Sequence, residues 1–145
     1  MFLHQSAYRQ RILERFRMTE AKAVFVSTDP HVMLEPVKSK GGELCNAPYR
    51  EAVESLMFLA TVSCPDIANA VNTVSFLNSP GESHWRAVKQ IFAFIIGTRN
   101  LGITYQSGGS KSDLMGYSDA DYASDLETRQ STTGYIFSLA NGPVL

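Results

Sequence analysis

The spacing of apolar residues changes abruptly near Gly97, and this change constrains the fold more than any other feature of the sequence. From Pro48 to Gly97, three stretches carry an apolar residue every three or four positions, a spacing typical of amphipathic helices. After Gly97, apolar and polar residues alternate in short runs, which is typical of strands. The sequence therefore predicts an α+β chain in which a small three-helix bundle precedes an antiparallel sheet.

The three predicted helices are bounded by residues that commonly begin or end helices. Pro48 suits a first helical position, Ser83 can cap the third helix, and Gly97 can end it. The break between the first two helices falls at residues 63–66. The three apolar stripes are Val53, Leu56, Met57 and Ala60; Ile67, Ala70, Val71, Val74 and Leu77; and Trp85, Val88, Ile91, Phe92 and Ile95.

The N-terminal region, residues 1–47, combines one predicted helix with a long irregular stretch. Ser6 can cap this helix, whose apolar face carries Tyr8, Ile12, Leu13 and Phe16. Its opposite face carries Arg9, Arg11, Glu14, Arg15 and Arg17. Residues 23–26 are predicted to form a short strand or extended segment, and residues 27–47 a long loop. The predicted domain organisation is thus 1–47, the helical bundle at 48–98, and strands at 99–145.

The strand region contains three alternating runs, at residues 101–105, 114–117 and 132–139, and residues 141–145 begin another. No helical pattern follows these strands. A sheet needs another layer to bury its apolar face, so we interpret this region as an incomplete domain.

Composition excludes several classes of protein. The chain has 145 residues, 44% of them hydrophobic, and a net charge of −1, which gives no overall basis for binding nucleic acid or membrane. Cys45 and Cys64 lack a zinc-type spacing and are predicted to be free thiols. The N-terminus shows no apolar signal-peptide core, and no apolar run is long enough to span a bilayer.

An acidic run follows the second predicted strand and is the main candidate for chemistry. Asp119 and Asp121 are two residues apart, so on a strand their side chains point to the same face, and Asp125 follows four residues later. The pattern alone favours a solvated strand end that leads into an aspartate-rich turn.

The whole run resembles the start of the ribonuclease H domain in Copia-type retrotransposon Pol polyproteins. The similarity is carried by residues 116–123, by Arg129 and by residues 131–135. It extends over nearly the whole chain, through residues 8–18, 48–60, 65–68, 84–89 and 97–98. The resemblance implies a thumb or connection region of a reverse transcriptase followed by the first ribonuclease H strands. It also implies that Asp119 matches a ligand for catalytic magnesium.

Departures from the family pattern point to loss of function. The family usually has Gly at the position of Glu54, Arg at that of Cys64, Trp at that of Tyr122 and Lys at that of Ile96. The Tyr-x-Asp-Asp motif of polymerases does not occur, and in the family the remaining ribonuclease H carboxylates follow the position of Leu145. We therefore predict a non-catalytic fragment that requires no cofactor or metal and that acts, if at all, through binding.

A second hypothesis comes from the first predicted helix. Residues 11–15 resemble, in degenerate form, the Arg-x-Leu-Arg host-entry motif of secreted oomycete effectors, with Arg11 and Leu13 as the matching residues. Copia-like sequences of this kind also resemble a protein of that effector class. The resemblance implies secretion, entry into the host cytoplasm or nucleus, a host-protein partner, and suppression of plant cell death or immunity.

A third hypothesis is a weak nucleic-acid-binding module. Its candidate residues are Arg9, Arg11, Arg15, Arg17 and Lys22. The near-neutral net charge makes this the least favoured of the three hypotheses.

Overall fold

The computed structural model describes residues 1–29, 34, 47–75, 80–106, 113–120, 131 and 133–144. The described part contains helices and small antiparallel sheets, so the prediction of an α+β fold is confirmed. The helices are α1 (Ser6–Arg15), α2 (Tyr49–Val62), α3 (Ala68–Ser75) and α4 (Glu82–Thr98), with a 3₁₀ turn at Pro65–Ile67. The strands are β1 (Phe2–Leu3), β2 (Ile103–Thr104), β3 (Met115–Ala120), β4 (Thr133–Leu139) and β5 (Gly142–Val144).

The chain divides into two compact units. The helical unit comprises His4–Gly102, and the sheet unit comprises Met1–Leu3 together with Ile103–Leu145. Among the described residues, no helix combines the length and apolar character needed to cross a membrane.

The helical unit has a continuous apolar core to which all four helices contribute. Leu56, Leu59, Ile67, Val88, Phe92 and Ile95 are completely buried in it. The rings of Phe16 and Phe92 lie 5.1 Å apart, which fixes the end of α1 against α4. The Tyr49 hydroxyl donates a hydrogen bond of 2.9 Å to the Val74 carbonyl and so joins α2 to α3. Most residues of the predicted core stripes meet here, but Met57 is 47% exposed, Leu59 is buried instead, and Leu77 lies outside the described residues.

Two predicted helix caps are wrong. Ser6 is the first residue of α1, Gln5 occupies the cap position, and no side chain caps this end. At α4 the cap position is Gly81, and the backbone N–H of Gly81 donates to Nδ1 of His84 at 2.7 Å. The buried His84 imidazole therefore provides the side-chain hydrogen bond that the sequence suggested for Ser83.

Residues 23–28 form neither a helix nor a strand, and the chain bends at residues 25, 27 and 28. The Val24 N–H donates to the Ala93 carbonyl of α4 at 3.2 Å, and the Gln90 amide donates to the Val26 carbonyl at 3.1 Å. Gly97, which the sequence suggested as the end of the third helix, lies inside α4, where a Cβ would lie 3.4 Å from the Val24 carbonyl oxygen, an ordinary van der Waals contact. Most of the predicted loop at 27–47, including Cys45, lies outside the described residues.

The sheet unit contains a three-stranded antiparallel sheet in the order β3-β4-β5, where the sequence predicted alternating strands. Tyr117 pairs with Ile136 at its centre. A separate pair joins β1 to β2, with Phe2 opposite Thr104, and this pairing was not predicted. All six residues of β3 are exposed.

Candidate functional site

The candidate metal ligand Asp119 lies near the end of β3, opposite Gly134 of β4. Its side chain is exposed, and its Oδ1 accepts a hydrogen bond of 2.9 Å from the backbone N–H of Ala120. This local bond holds the carboxylate beside its own strand. Asp121, Asp125 and Arg129, the other members of the acidic run, lie outside the described residues.

The described residues around Asp119 do not fit a two-metal centre. Such a centre needs several carboxylates that converge on ions about 4 Å apart. In the described part of the sheet unit, Asp113 and Asp119 are the acidic residues. They are separated by six positions along an extended strand, or about 20 Å at 3.3 Å per residue. Within the described ranges, no group of three or more His, Cys, Asp or Glu side chains is placed to bind a metal.

The candidate host-entry residues on α1 face in different directions. Arg11 is exposed, whereas Leu13 is 2% exposed and belongs to the hydrophobic core. Glu14, which replaces the final arginine of the motif, accepts a hydrogen bond of 2.7 Å from Gln10. In the folded chain the two matching residues therefore do not form a continuous exposed motif.

Arg9 corrects the prediction of a basic face on α1. Its side chain is 1% exposed, and its guanidinium donates a hydrogen bond to the Thr98 carbonyl in α4. The reason is geometric, because Arg9 lies one helical turn before Leu13 on the side that packs against the core. Arg15, by contrast, is exposed and forms an ion pair of 2.6 Å with Glu51. Arg9 is thus unavailable for contact with a phosphate backbone.

Cys64 lies in the break between α2 and α3, where its thiol is buried and free. Burial raises the pKa of Cys64 above its ordinary value, and the charge of Asp66 raises it further. The positive charge of Arg9 and a backbone hydrogen bond from Ile67 act in the opposite direction. Because the raised pKa favours the thiol form, Cys64 is a poor nucleophile.

The sequence did not predict a cavity of about 110 Å³ in the helical unit. Its apolar wall includes Ala70, Val74 and Ile91, and its rim includes Asp29 and Arg86. The cavity depends on residues 27–29 packing against α3 and α4. That segment is part of a predicted loop, so no local pattern in the sequence could have revealed it.

Comparisons with known proteins find relatives among the Pol polyproteins of transposons. The chain is 41% identical over 151 residues to the "Retrovirus-related Pol polyprotein from transposon TNT 1-94" of Nicotiana tabacum, which covers 99% of this chain and 11% of that protein. It is 38% identical to the "Retrovirus-related Pol polyprotein from transposon RE1" of Arabidopsis thaliana, with coverage of 99% and 10%. The chain therefore spans about a tenth of the length of these relatives.

A shorter relative matches a larger share of its own length. The chain is 42% identical over 100 residues to "Secreted RxLR effector protein 161" of Plasmopara viticola, which covers 68% of this chain and 70% of that protein. No family model matches the chain, and no solved structure matches it.

The match over 99% of this chain relates it to the Pol polyproteins of retroelements. More specifically, the relatives that match nearly the whole chain are Copia-type retrotransposon Pol polyproteins. The resemblance recognised in the acidic strand and in the helices is confirmed.

Proposed function

We propose that this chain is a non-catalytic segment of a Copia-type Pol polyprotein that acts through binding. It corresponds to the end of the reverse transcriptase and the first strands of the ribonuclease H domain. The observation that best supports the proposal is the setting of Asp119, which bonds to its own neighbour's amide at 2.9 Å. No second described carboxylate of the sheet unit lies near it.

The physical reason to expect no catalysis is that phosphodiester cleavage requires stabilisation of the negative charge on the reacting oxygens. Two metal ions clamp the attacking and leaving oxygens, and several carboxylates hold those ions. Magnesium also demands near-octahedral oxygen coordination, which one exposed carboxylate supplies poorly. Asp119 by itself therefore binds the metal too weakly to position it.

A hybrid-cleavage assay tests this proposal. We expect the purified full chain to leave an RNA–DNA hybrid intact in the presence of Mg²⁺ or Mn²⁺, with an intact ribonuclease H as the positive control. The Asp119→Asn variant should behave identically to the unmodified chain. Metal-dependent cleavage that disappears in Asp119→Asn would refute the proposal.

A second candidate function is that of an RxLR-type effector. The supporting observation is the relative named as a secreted RxLR effector, which matches over 70% of its length. Such a protein enters the host cell, binds a host protein and suppresses cell death or immunity without catalysis. The burial of Leu13 weakens this candidate, because a linear entry motif requires accessible residues.

Expression in plant leaf cells separates this candidate from the first. An effector should reduce the cell death that a known elicitor triggers, whereas an inert Pol segment should leave it unchanged.

If the Arg11 motif directs entry, added protein should lose uptake on Arg11→Ala and retain it on Arg17→Ala, a matched exposed arginine outside the motif. Equal uptake by both variants would exclude the motif.

Nucleic-acid binding is expected to be weak. With Arg9 buried, four of the five candidate basic residues remain exposed, and one of these, Arg15, pairs with Glu51. So few contacts release few counterions, and duplex affinity should be low and should change little with salt concentration. Tight duplex binding with a steep salt dependence would contradict this expectation.

A further inference from the structure

The cavity of about 110 Å³ in the helical unit combines an apolar wall with a polar rim. The wall includes Ala70, Val74 and Ile91, each of which is at most 2% exposed. Because a cavity of about 150 Å³ lined by apolar side chains admits benzene, this volume admits an apolar group of about four or five carbon atoms. The wall therefore suits a small aliphatic body better than ordered water, which needs several polar partners.

The segment that closes the cavity is anchored to the rest of the helical unit by hydrogen bonds. The Gln90 amide of α4 donates to the Val26 carbonyl at 3.1 Å, and the Ser27 hydroxyl donates a longer bond of 3.5 Å to the Asp66 carbonyl. Residues 27–29 line the cavity directly after this anchor. A site that is formed in advance avoids the entropic cost of ordering the segment when a ligand binds.

Arg86 places a positive charge on the rim of the cavity. Arg86 is exposed, and the one ion pair between two described residues joins Arg15 to Glu51. Asp29 lies on the same rim, but it already takes part in another interaction. An arginine without a carboxylate partner attracts anions, and its planar guanidinium matches the geometry of a carboxylate. The rim therefore favours a ligand with a carboxylate end.

We propose that this cavity binds a small carboxylate with a branched aliphatic body, a class that isocaproate represents. The body packs against Ala70, Val74 and Ile91, and the carboxylate accepts hydrogen bonds from the guanidinium of Arg86. A single charge at an exposed rim and a small apolar body give a modest affinity, with a Kd on the order of 1 mM or tighter. The site uses no residue of the acidic strand, so it goes beyond the proposed function and does not depend on it.

Titration of the full, isotope-labelled chain with isocaproate, followed by NMR, tests the proposal. The backbone amide signals of Ala70, Val74 and Ile91 should shift in a saturable way. Isocaproamide has the same aliphatic body without the charge. It should bind about threefold to fivefold more weakly, as expected for the loss of one exposed charge pair.

Two pairs of variants separate the charge from the wall. Arg86→Gln should weaken isocaproate binding by the same factor and leave isocaproamide binding within about twofold. Lys89→Gln is its control, because Lys89 is an exposed cation of α4 that lies over the Trp85 ring and does not line the cavity. Ala87→Leu fills part of the cavity and should abolish saturable binding of both ligands, whereas Ala7→Leu, at an exposed position of α1, should leave both unchanged.

Each other result overturns the proposal. The absence of a saturable shift, or shifts confined to amides outside the helical unit, would exclude a ligand in this cavity. Equal affinity for isocaproate and isocaproamide would exclude recognition of the carboxylate. Equal losses on Arg86→Gln and Lys89→Gln would show that net charge, and not the rim of the cavity, attracts the anion. Circular dichroism of every variant establishes that the helical unit is folded.

Discussion

The guanidinium of Arg9 on α1 donates a hydrogen bond to the backbone carbonyl of Thr98, in the last turn of α4, although the arginine is only 1% exposed. The last carbonyls of a helix lack partners within the helix and carry partial negative charge, so a cation there is favourable. The Arg9 Nε is buried and has no hydrogen-bond partner. Arg9 therefore stabilises the end of α4. Burying its charge also costs free energy, and the single hydrogen bond offsets only part of that cost.

Replacing Arg9 tests that balance. We expect Arg9→Ala to lower the free energy of unfolding of the helical unit by about 2–4 kcal/mol, because it leaves a cavity and removes one hydrogen bond to the Thr98 carbonyl, which keeps its bond of 2.9 Å from the Leu101 N–H. Arg9→Met should cost less than about 1.5 kcal/mol, because it keeps the apolar volume and removes the buried charge. Urea unfolding followed by the fluorescence of Trp85, the chain's one tryptophan, measures both values.

The control for Arg9 lies on the same helix. Arg11→Ala removes an exposed arginine and should change the free energy of unfolding by less than about 0.5 kcal/mol. If Arg9→Ala changed stability as little as Arg11→Ala, the proposed role of Arg9 in joining α1 to α4 would be wrong.

The ion pair between Arg15 and Glu51 should contribute little. Both side chains are more than half exposed, at 58% and 57%, so water screens their attraction. We expect Glu51→Gln to change the free energy of unfolding by less than about 1 kcal/mol. Arg15→Gln should cost more than Glu51→Gln, because Arg15 also lies over the Phe16 ring, 5.6 Å from its centroid. A double-mutant cycle measured by urea unfolding gives the coupling free energy between Arg15 and Glu51. A coupling free energy larger than the cost of either single substitution would contradict the expectation of a weak ion pair.

The buried thiol of Cys64 should make stability depend on alkaline pH. Burial raises the pKa of Cys64 in the folded state, so the unfolded chain loses this proton at a lower pH. The contribution of Cys64 to stability is therefore complete below the unfolded pKa of about 8.5 and is lost as pH rises through the folded pKa. The free energy of unfolding should fall more steeply above that pH for the unmodified chain than for Cys64→Ala, and parallel curves would refute the prediction.

Arg9 and Cys64 should also be coupled. The charge of Arg9 lowers the pKa of Cys64, so Arg9→Met should raise that pKa further. The rate at which a thiol reagent modifies Cys64 in a Cys45→Ser background should consequently fall at a given alkaline pH. An unchanged or faster rate in a folded Arg9→Met variant would contradict the coupling.

Local pattern was sufficient for some elements of this fold and not for others. The core stripes of α2 and α4 follow from apolar spacing, since each position depends only on its neighbours along the helix. The pairing of Phe2 with Thr104 joins residues far apart in sequence and has no local signal. The burial of Arg9 was missed because residue type suggested solvent, while its position on α1 placed it against the core.

The candidate site, like the fold, could be predicted only in part from the sequence. The location of Asp119 on an exposed strand followed from alternation and from family resemblance. The hydrogen bond from the Ala120 amide did not, because it depends on the side-chain rotamer. The cap at α4 was assigned to Ser83 on residue preference, whereas the nitrogen that accepts the hydrogen bond belongs to His84.

Gly142 and Gly134 provide a final, matched test of the sheet unit. A Cβ at Gly142 would lie 2.6 Å from the Tyr105 ring and 3.2 Å from the Thr104 carbonyl oxygen, whereas a Cβ at Gly134 would have no atom within 4 Å. The Tyr105 hydroxyl donates to the Pro143 carbonyl at 2.6 Å, so the ring cannot move aside without losing this bond.

We expect Gly142→Ala to destabilise the sheet unit by about 1–3 kcal/mol. Gly134→Ala should be neutral or stabilising by up to about 1 kcal/mol, because it restricts the unfolded chain. Amide hydrogen exchange of β4 and β5 measures both effects, and equal protection in the two variants would show that Tyr105 does not hold β5 in place.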